Sequence, residues 1–572
     1  MGAFFLLRGS DATEVGRWRD TLAAEFAVQG FGAPRRFAVR GCEIHLYPKL
    51  GAAAANAHVG GPGEFCLSAG TVVYRGASGA AALQRLHADF AAARVPWDDL
   101  CGQFCLIVAQ RGRVHLLTDR LGLFKVYRNA DGSVLSSSFL AAAAACERLT
   151  INPQAVYEYI SHGASFGLKT AFHEVGLLDP DAMQRIDADG AASISLAPIA
   201  RGLSTASFED SLDANLRCLR SYFAVAATAG DGRISTALSG GYDTRLMLAL
   251  LRERGVQPQL YVYGTDRDCD VHVARRIAAG EGLTLAHTER GAGPPLERDQ
   301  FAAVVESNYR FFDGYPVDGI FDDGSDQRTR RQRCQNGELA LNGIGGELFR
   351  RPDMANRSYP LRDVVWRFYC GFDPAVLTAA FCEADYCAAI AREIQRALQS
   401  DADVLTRAEI SLLIPAFYYR YWAGRNNSIN NRVGRALQPF CDLPIVRESI
   451  RIPVAHRCYG RFESALIRAV DPRLAAYASC HGHDFMHPPP LRNIVREWLA
   501  TVRPAVHYRY AQPPAREERP YWLADSYLGG VIDLSFPYLR RFVHVERVAT
   551  ARRYNRICTL EHLFQRCAAQ IA

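Results

Sequence analysis

The residues of this sequence best suited to chemistry lie in one short run: Ser239, Gly240, Gly241, Tyr242, Asp243 and Thr244. Before them, residues 233–238 predict a short buried strand, and after them the apolar residues 246–251 predict a helix. Two glycines at a strand-to-helix turn let the backbone fold closely around an anion, toward which the helix N-terminus points its free N–H groups. The run therefore predicts a phosphate-binding loop.

A carboxylate within such a loop needs an explanation, because Asp243 and bare phosphate repel each other. The repulsion is removed when a divalent cation bridges the carboxylate to phosphate oxygens, so Asp243 predicts bound Mg²⁺. The run lacks the lysine and the spacing of a Walker A sequence, so transfer of a γ-phosphate is not predicted. A Gly-Gly turn that only packs against a neighbouring element is the alternative.

The second half of the chain alternates predicted strands and helices, as a parallel sheet requires. Strands are predicted at 233–238, 259–263 and 283–288, and helices at 208–227 and 271–280. The phosphate loop follows the first of these strands, and α/β ligand crevices open at strand ends. After residue 411 the pattern is mostly helical, with more aromatic residues and arginines.

The first half predicts a layered α+β unit made of short strands and turns. Its predicted strands are 3–7, 65–67, 71–74, 104–109, 113–118 and 134–136, and its predicted helices are 81–92 and 153–161. A low-charge stretch at 197–207 separates residues 1–200 from a second unit at 208–572. At about 150 residues per domain, two to four domains are expected.

Composition excludes several classes of protein. With 49% hydrophobic and 22% charged residues the chain is globular rather than disordered. A net charge of +6 over 572 residues is too small to predict a nucleic acid or a membrane surface as partner, and no apolar run approaches a membrane span.

The sixteen cysteines form no C-x-x-C pair, so reduced, buried thiols in a cytoplasmic protein are expected rather than disulfides or a zinc site. The arginine-rich patch at 327–333 predicts a solvated loop.

Several motifs resemble known families. Ser-Gly-Gly-x-Asp-Thr resembles the pyrophosphate-binding loop of ATP pyrophosphatases, which cut ATP between its α and β phosphates. Further motifs resemble class B asparagine synthetases and follow the order of that family: Cys101-Gly102-Gln103-Phe104, Asp119-Arg120-Leu121-Gly122 with Tyr127, Ser136-Ser137-Ser138-Phe139-Leu140, Asp270 with Ala274, Asn342-Gly343-Ile344-Gly345-Gly346-Glu347-Leu348-Phe349 and Gln438-Pro439-Phe440-Cys441-Asp442. The resemblance covers most of the chain.

This resemblance implies a fold and a set of site residues. Residues 1–200 are expected to form a degenerate glutaminase-like domain, an Ntn-hydrolase-like αββα sandwich. Residues 208–572 are expected to form an ATP pyrophosphatase domain, of the adenine nucleotide alpha hydrolase-like type, with a helical C-terminal part. ATP and Mg²⁺ are the implied cofactors, with pyrophosphate on Ser239, Gly240, Gly241 and Thr244, metal on Asp243 and Glu347, and adenosine near Leu238, Tyr263, Gly343 and Gly345.

The sequence departs from asparagine synthetases at three places. Their mature first residue is a cysteine that releases ammonia from glutamine, whereas Met1 is followed here by Gly2, so glutamine hydrolysis is not expected. Ile344 occupies the position of a tyrosine or glutamate that relatives use near the amine. No lysine follows Lys169, so the family lysine near the α-phosphate is missing. Arg492, Arg496, His481 and His483 are the candidate replacements, and Arg496 is included among the predicted catalytic residues with Asp243 and Glu347.

The expected function is ATP-dependent amide formation through an acyl adenylate, with release of AMP and pyrophosphate. Resemblance to the glutamine-independent branch, which includes β-lactam synthetases and lasso peptide cyclases, favours lactam or macrolactam closure within a peptide-like acid. The expected partners are then a precursor peptide and its processing protease. An ammonia-dependent amidotransferase acting on an amino acid or sugar acid is one alternative, and a degenerate binding scaffold is another.

The sequence does not identify the general base that must deprotonate the amine. It does contain one candidate wall for a substrate, the polar and aromatic segment at 418–422 with Arg425, Asn426 and Asn427. An aromatic helix packed against the core is the more common explanation for such a segment.

Overall fold

Two antiparallel sheets and one parallel sheet, all flanked by helices, make up the computed structural model of this chain. It describes residues 1–51, 56–92, 95, 99–187, 190–199, 205–350, 357–510 and 517–571. Part of the predicted boundary at 197–207 falls on residues 200–204, which lie outside this description, so the division into domains stays a prediction. Over the described ranges, no helix is both long enough and apolar enough to cross a membrane.

The antiparallel sheets are built from strands between Ala3 and Ser195. In chain order these are β1 (Ala3–Arg8), β2 (Arg35–Val39), β3 (Cys42–Tyr47), β4 (Ala57–Gly61), β5 (Glu64–Tyr74), β6 (Ala77–Ser78), β7 (Leu100–Gln110), β8 (Arg113–Thr118), β9 (Tyr127–Arg128), β10 (Val134–Ser136), β11 (Gly176–Leu177), β12 (Ala182–Asp187) and β13 (Gly190–Ser195). The accompanying helices are α1 (Ala12–Val28), α2 (Gly79–Ala91), α3 (Phe139–Ala144) and α4 (Pro153–His162). One sheet has the order β11-β9-β10-β1-β3-β2, and the other β13-β12-β8-β7-β5-β4, with β6 paired to β5.

Alternation of apolar side chains along the strands places these sheets face to face. On β1, Phe4 and Leu6 join Ile107 of β7 in a buried cluster between the sheets. Phe5 and Leu7 belong to a second cluster, on the outer face, with residues of α1. Helix α2 packs on the outer face of the other sheet in the same way. The layers are therefore helix, sheet, sheet and helix, and the predicted layered α+β unit is confirmed.

The remaining strands form the parallel sheet and one isolated pair. They are β14 (Ile234–Ala237), β15 (Gln259–Tyr263), β16 (Leu285–Thr288), β17 (Leu339–Leu341), β18 (Tyr359–Pro360), β19 (Val404–Leu405) and β20 (Arg435–Leu437). β18 pairs with β19, whereas the other five are all parallel in the order β16-β15-β14-β17-β20. The order of strands reverses between β14 and β17. This reversal opens a crevice at the carboxyl ends of the two strands.

The helices of the second half surround this sheet and extend beyond it. They are α5 (Phe208–Gly230), α6 (Asp243–Glu253), α7 (Cys269–Glu281), α8 (Arg298–Phe311), α9 (Ser325–Gln332), α10 (Leu361–Tyr369), α11 (Glu383–Leu398), α12 (Arg407–Leu413), α13 (Arg420–Val433), α14 (Leu443–Ser449), α15 (Val454–Arg457), α16 (Arg461–Val470), α17 (Pro472–Ala476), α18 (Leu491–Val502), α19 (Asp525–Leu528) and α20 (Ala551–Arg566). The predicted parallel sheet is confirmed, whereas the identity of the second domain and its helical C-terminal part stays a prediction.

The prediction of a solvated loop at 327–333 is wrong, because most of this patch belongs to α9. Asp326 lies 3.0 Å from Arg330 one turn later and 3.1 Å from Arg290 of a neighbouring segment. These contacts neutralise charges that would otherwise repel each other along the helix. Thr329 is buried between them.

Two of the chain's three lysines join the two halves. Lys49 Nζ donates to the carbonyl oxygens of Asn431, at 2.5 Å, and Gly434, at 2.9 Å. Lys125 Nζ donates to the carbonyl oxygen of Arg420 at 2.6 Å. Burial lowers the pKa of each lysine to about 7. Both lysines are therefore occupied in holding the first half against α13.

Candidate functional site

The predicted phosphate loop forms the turn between β14 and α6. Ser239 Oγ lies 3.0 Å from Thr244 Oγ1, which also accepts the Ser239 N–H at 3.1 Å. The Gly240 N–H donates to Asp270 at 2.8 Å, and no side chain caps the first turn of α6. One N–H group of the loop thus already holds an anionic oxygen, which is the type of ligand predicted for it.

A disulfide between Cys269 and Cys480 lies directly against this loop. The Cys480 N–H donates to the Gly240 carbonyl at 3.1 Å, and a Cβ at position 240 would lie 2.1 Å from Cys480 Sγ. Glycine is therefore required there. The prediction that all cysteines are reduced is wrong for this pair, whereas the other fourteen form no disulfide bond. The two partners are 211 residues apart, so only the fold brings them together.

The second predicted turn, Gly343 to Glu347, follows β17 and meets the phosphate loop where the strand order reverses. A Cβ at position 343 would lie 3.2 Å from Asp243 Cβ, and one at Gly346 would lie 2.1 Å from Asp243 Oδ1. The glycines let this turn approach Asp243 closely. Because β14 and β17 are parallel neighbours, the turns at their carboxyl ends lie side by side.

Three carboxylates surround one arginine at this meeting point. Arg350 Nη2 lies 3.0 Å from Asp243 Oδ1 and 3.7 Å from Glu347 Oε1. Arg350 Nε lies 3.2 Å from Glu463 Oε2. The Glu463 side chain is fully buried, whereas 48% of the Glu347 side chain is exposed. Glu347 is thus the carboxylate of this cluster that a ligand can reach most easily.

Burial changes the proton affinity of the two inner carboxyls. It raises the pKa of Asp243, while Arg350 opposes this shift and Glu347 adds to it. Burial also raises the pKa of Glu463 well above its usual value, against the opposing effect of Arg350, and the Asp243 carboxylate raises it further. Both groups therefore hold protons more tightly than ordinary carboxyls do.

A cavity of about 330 Å³ opens beside Glu347 and Arg350. It is also lined by three of the four candidate replacements for the family lysine, Arg496, His481 and His483. Burial lowers the pKa of His481 to about 4, so this ring is neutral at pH 7. A larger cavity of about 460 Å³ contains none of the predicted site residues. The smaller cavity is therefore the candidate active site. Of the residues assigned to ATP and Mg²⁺, Glu347 lines it, whereas Asp243 and the residues of the phosphate loop assigned to pyrophosphate do not.

The aromatic segment includes a π-helical turn, Ile414–Tyr419, between α12 and α13. Tyr419 is buried, and its hydroxyl donates to Glu347. Tyr418 and Trp422 stack with ring centroids 5.5 Å apart and are only partly buried. Such turns are frequent at functional sites. Here the turn belongs to a helix packed in the core and also fixes the position of Glu347.

The residues predicted to surround adenosine lie near the same edge of the sheet. Tyr263 ends β15, and its ring is covered by the guanidinium groups of Arg290, at 4.2 Å, and Arg333, at 5.0 Å. The Leu238 side chain is fully buried in an apolar cluster with α6 and α7. Gly345 has a φ of 105°, which favours glycine. Their contact with adenosine stays a prediction.

Two of the quoted motifs, one from each half, meet at a buried carboxyl. Asp442 accepts the Gly102 N–H at 3.0 Å, the Gln103 amide at 3.0 Å and the hydroxyl of Tyr222. Burial raises the pKa of Asp442 to about 7. These motifs therefore join the two halves and lie outside the candidate active site.

The position of the family nucleophile is also packed against the second half. A Cβ at Gly2 would lie 2.9 Å from the Arg432 carbonyl oxygen and 3.0 Å from Lys49 Cα. Contacts this short are almost never seen for real Cβ atoms. A cysteine at this position would therefore have to displace backbone atoms.

Three important side chains were not predicted from the sequence. Arg350 directly follows the quoted motif that runs from Asn342 to Phe349, and this adjacency was a usable signal. Glu463 belongs to α16 and to no motif, so nothing local pointed to it. Tyr419 lies in the segment whose role was left open, and its contact with Glu347 spans 72 residues.

No protein-family model and no curated protein matches the chain. One structural neighbour is glutamine phosphoribosylpyrophosphate amidotransferase from B. subtilis, solved in complex with ADP and GMP. It is 10% identical in sequence and has a TM-score of 0.24, and the match covers 62% of this chain and 83% of that chain. The allosteric regulatory enzyme of purine biosynthesis is another, with 9% identity, 64% and 77% covered, and a TM-score of 0.22. Scores this low establish neither a shared fold nor a shared activity.

Proposed function

We propose that this chain is an ATP-dependent carbon–nitrogen ligase that forms an amide bond through an acyl adenylate. The observation that supports this most directly is the meeting of the phosphate loop with the Gly343 turn around Asp243, at the carboxyl edge of the parallel sheet. Ligands of α/β sheets bind at this edge. In the proposed reaction, a substrate carboxylate oxygen attacks the α-phosphorus of ATP and pyrophosphate leaves. An amine then attacks the acyl carbon, loses a proton and displaces AMP.

The assigned residues fit a magnesium–pyrophosphate group. Mg²⁺ is usually held by one or two carboxylates together with substrate phosphates, and Asp243 and Glu347 offer two carboxylates. Bound Mg²⁺ supplies charge that stabilises the leaving pyrophosphate. Pyrophosphate itself is assigned to the N–H and hydroxyl groups of Ser239, Gly240, Gly241 and Thr244. It would have to replace the side-chain oxygens of Thr244, Asp270 and Ser239 that accept these N–H groups in this structure. Tyr419 holds Glu347 in place by its hydrogen bond.

Two arginines are candidates for the role that the lysine has in the asparagine synthetases. Arg350 and Arg496 both line the cavity, and guanidinium donors suit phosphate oxygens. Arg350 is engaged by three carboxylates, whereas Arg496 is exposed to the cavity. We therefore propose that Arg496 stabilises the negative charge that develops on the α-phosphate, and that Arg350 positions the carboxylates.

The amine is proposed to belong to the substrate rather than to come from glutamine. Gly2 offers no nucleophile, and its surroundings leave no space for one. Neither the natural chain nor a Gly2→Cys variant is expected to release ammonia from glutamine. The proposal thus extends to closure of a lactam or macrolactam in a peptide-like acid, with a precursor peptide and its protease as partners. Ammonia released from glutamine by the natural chain would contradict it.

Binding of ATP with Mg²⁺ tests the proposal without knowledge of the acid. Calorimetric titration of the full chain should show ATP binding that is strengthened by Mg²⁺. Asp243→Asn keeps the side-chain volume and removes the charge, so Mg²⁺-dependent affinity should fall by about tenfold or more, as expected for a charged interaction of about 1.5–3 kcal/mol. Asp266→Asn is the matched control, because Asp266 follows β15 at the same edge and is 71% exposed. A natural chain that binds no ATP, or an Asp243→Asn chain that binds it equally well, would overturn the proposal.

The amine can then be identified by product analysis. AMP release with a peptide acid alone supports intramolecular closure. AMP release that requires only ammonium and an amino acid or sugar acid would instead indicate an amidotransferase.

A further inference from the structure

Two cysteines and a glutamate meet where α10 and α11 come together, at residues that do not line the candidate active site. Cys370 Sγ lies 3.5 Å from Cys387 Sγ. These sulfur atoms and a carboxylate oxygen of Glu383 all lie within 4.8 Å of one another. Cys370 directly follows α10, and Glu383 and Cys387 share one face of α11 because they are four residues apart.

We propose that Cys370, Glu383 and Cys387 bind a thiophilic divalent cation of the Zn²⁺ class. Two thiolates held at about 2.3 Å from a tetrahedral ion are about 3.8 Å apart, close to the separation seen here. A disulfide would need a separation of about 2.05 Å. Thiolate ligands select Zn²⁺ over Mg²⁺ and Ca²⁺, so this site is chemically distinct from the one assigned to Asp243.

Arg509 strengthens the assignment, although it is itself a cation. Its Nε lies 2.5 Å from Glu383 Oε1, and its Nη2 lies 2.8 Å from Glu383 Oε2. Carboxylates that ligate metals are commonly held by outer hydrogen bonds of this kind, and each carboxylate oxygen keeps a second lone pair. Arg509 therefore fixes the orientation of the carboxylate beside the two sulfur atoms.

Metal binding at this cluster conserves charge. The S–H bonds of both cysteines break, the sulfur electron pairs coordinate the ion, and two protons pass to water. Exchange of two protons for one divalent cation leaves the net charge of the partly buried cluster unchanged. Three protein ligands leave the fourth position to water.

The site would join three segments behind the candidate active site. Cys370 closes α10, and Cys387 belongs to α11. Arg509 belongs to the segment that follows α18, the helix that contains Arg496. A bound ion would therefore hold the C-terminal side of α18 against α10 and α11, independently of whether the proposed ligase activity is correct.

Titration of the reduced full chain with Co²⁺ tests this proposal, because tetrahedral cobalt thiolates absorb visible light. One equivalent of Co²⁺ should produce this absorption, release two protons, and be displaced by Zn²⁺. Cys370→Ser and Cys387→Ser should each abolish the signal. Cys382→Ser is the matched control, because Cys382 is exposed and directly precedes α11, and it should leave the signal unchanged. Glu383→Gln should weaken Co²⁺ binding by about tenfold or more while leaving sulfur-based absorption.

Three results would overturn the proposal. The first is a reduced natural chain that takes up no Co²⁺, or takes it up without releasing protons. The second is an unchanged spectrum in Cys370→Ser or Cys387→Ser. The third is unchanged affinity in Glu383→Gln, which would remove the carboxylate from the ligand set. None of these results depends on ATP or Mg²⁺, so they are separate from a failure of the proposed function.

Discussion

Removal of the Arg350 guanidinium is expected to destabilise this protein strongly. Arg350 lies 3.0 Å from Asp243 and 3.2 Å from Glu463, and the Glu463 side chain is fully buried. Removing one partner of a buried ion pair costs about 3–5 kcal/mol, because the remaining charge is left unpaired in a medium of low polarity. Arg350→Leu should therefore lower the free energy of unfolding by about this amount at pH 8.

The loss should be smaller at pH 6. Burial raises the folded-state pKa of Glu463, and removal of Arg350, which lowers it, raises it further. A carboxyl with a raised folded-state pKa binds its proton more tightly when folded. Between its unfolded pKa of about 4.3 and its folded pKa, a rise in pH therefore reduces stability. At pH 6 Glu463 can take up a proton and become neutral, whereas at pH 8 this protonation costs more.

Urea unfolding followed by tryptophan fluorescence at both pH values measures this effect as a shift in the midpoint. The double variant Arg350→Leu/Glu463→Gln should recover about 1–3 kcal/mol, because its second change removes the unpaired charge. Arg267→Leu, at an exposed position, is the control and should leave the midpoint nearly unchanged. An equal midpoint shift for Arg350→Leu at pH 6 and pH 8, together with no recovery in the double variant, would refute this reasoning.

Three further predictions concern the loop and its neighbours. Gly346→Ala places a Cβ 2.1 Å from Asp243 Oδ1, so the Mg²⁺-dependent affinity for ATP, measured by calorimetry, should fall about tenfold or more. Gly16→Ala is the control and should not change this affinity, because a Cβ at position 16 would have no atom within 4 Å. Because burial raises the pKa of Asp243, protons should compete with Mg²⁺ at a higher pH than they do at an ordinary aspartate. The Mg²⁺-dependent affinity for ATP should therefore decline as the pH falls from 7.5 to 5.5, and an affinity that does not change over this range would contradict the prediction. Thiol titration of the denatured, unreduced chain should count fourteen cysteines, and sixteen after reduction of the Cys269–Cys480 bond; sixteen before reduction would show that the bond is absent.

The elements that local patterns describe were predicted well. The strand predicted at 259–263 is observed as Gln259–Tyr263, and the helix predicted at 208–227 as Phe208–Gly230. The strands predicted at 65–67 and 71–74 are one strand, Glu64–Tyr74, because pairing with β7 continues through the glycine between them. Cross-strand hydrogen bonds from a distant segment decided that outcome, and local propensity could not show them.

The sequence alone determined the turn between β14 and α6, because a strand, two glycines, an aspartate and a helix are local features with a direct physical meaning; binding of phosphate at this turn stays a prediction. It also determined the order of strands and helices from which a parallel sheet follows. Only the tertiary structure decided what surrounds Asp243. Arg350 contacts it across 107 residues, and Cys269 reaches Cys480 across 211. Such partners are selected by the reversal of strand order and by burial, which act between segments far apart in the chain, so no pattern within one segment could show them.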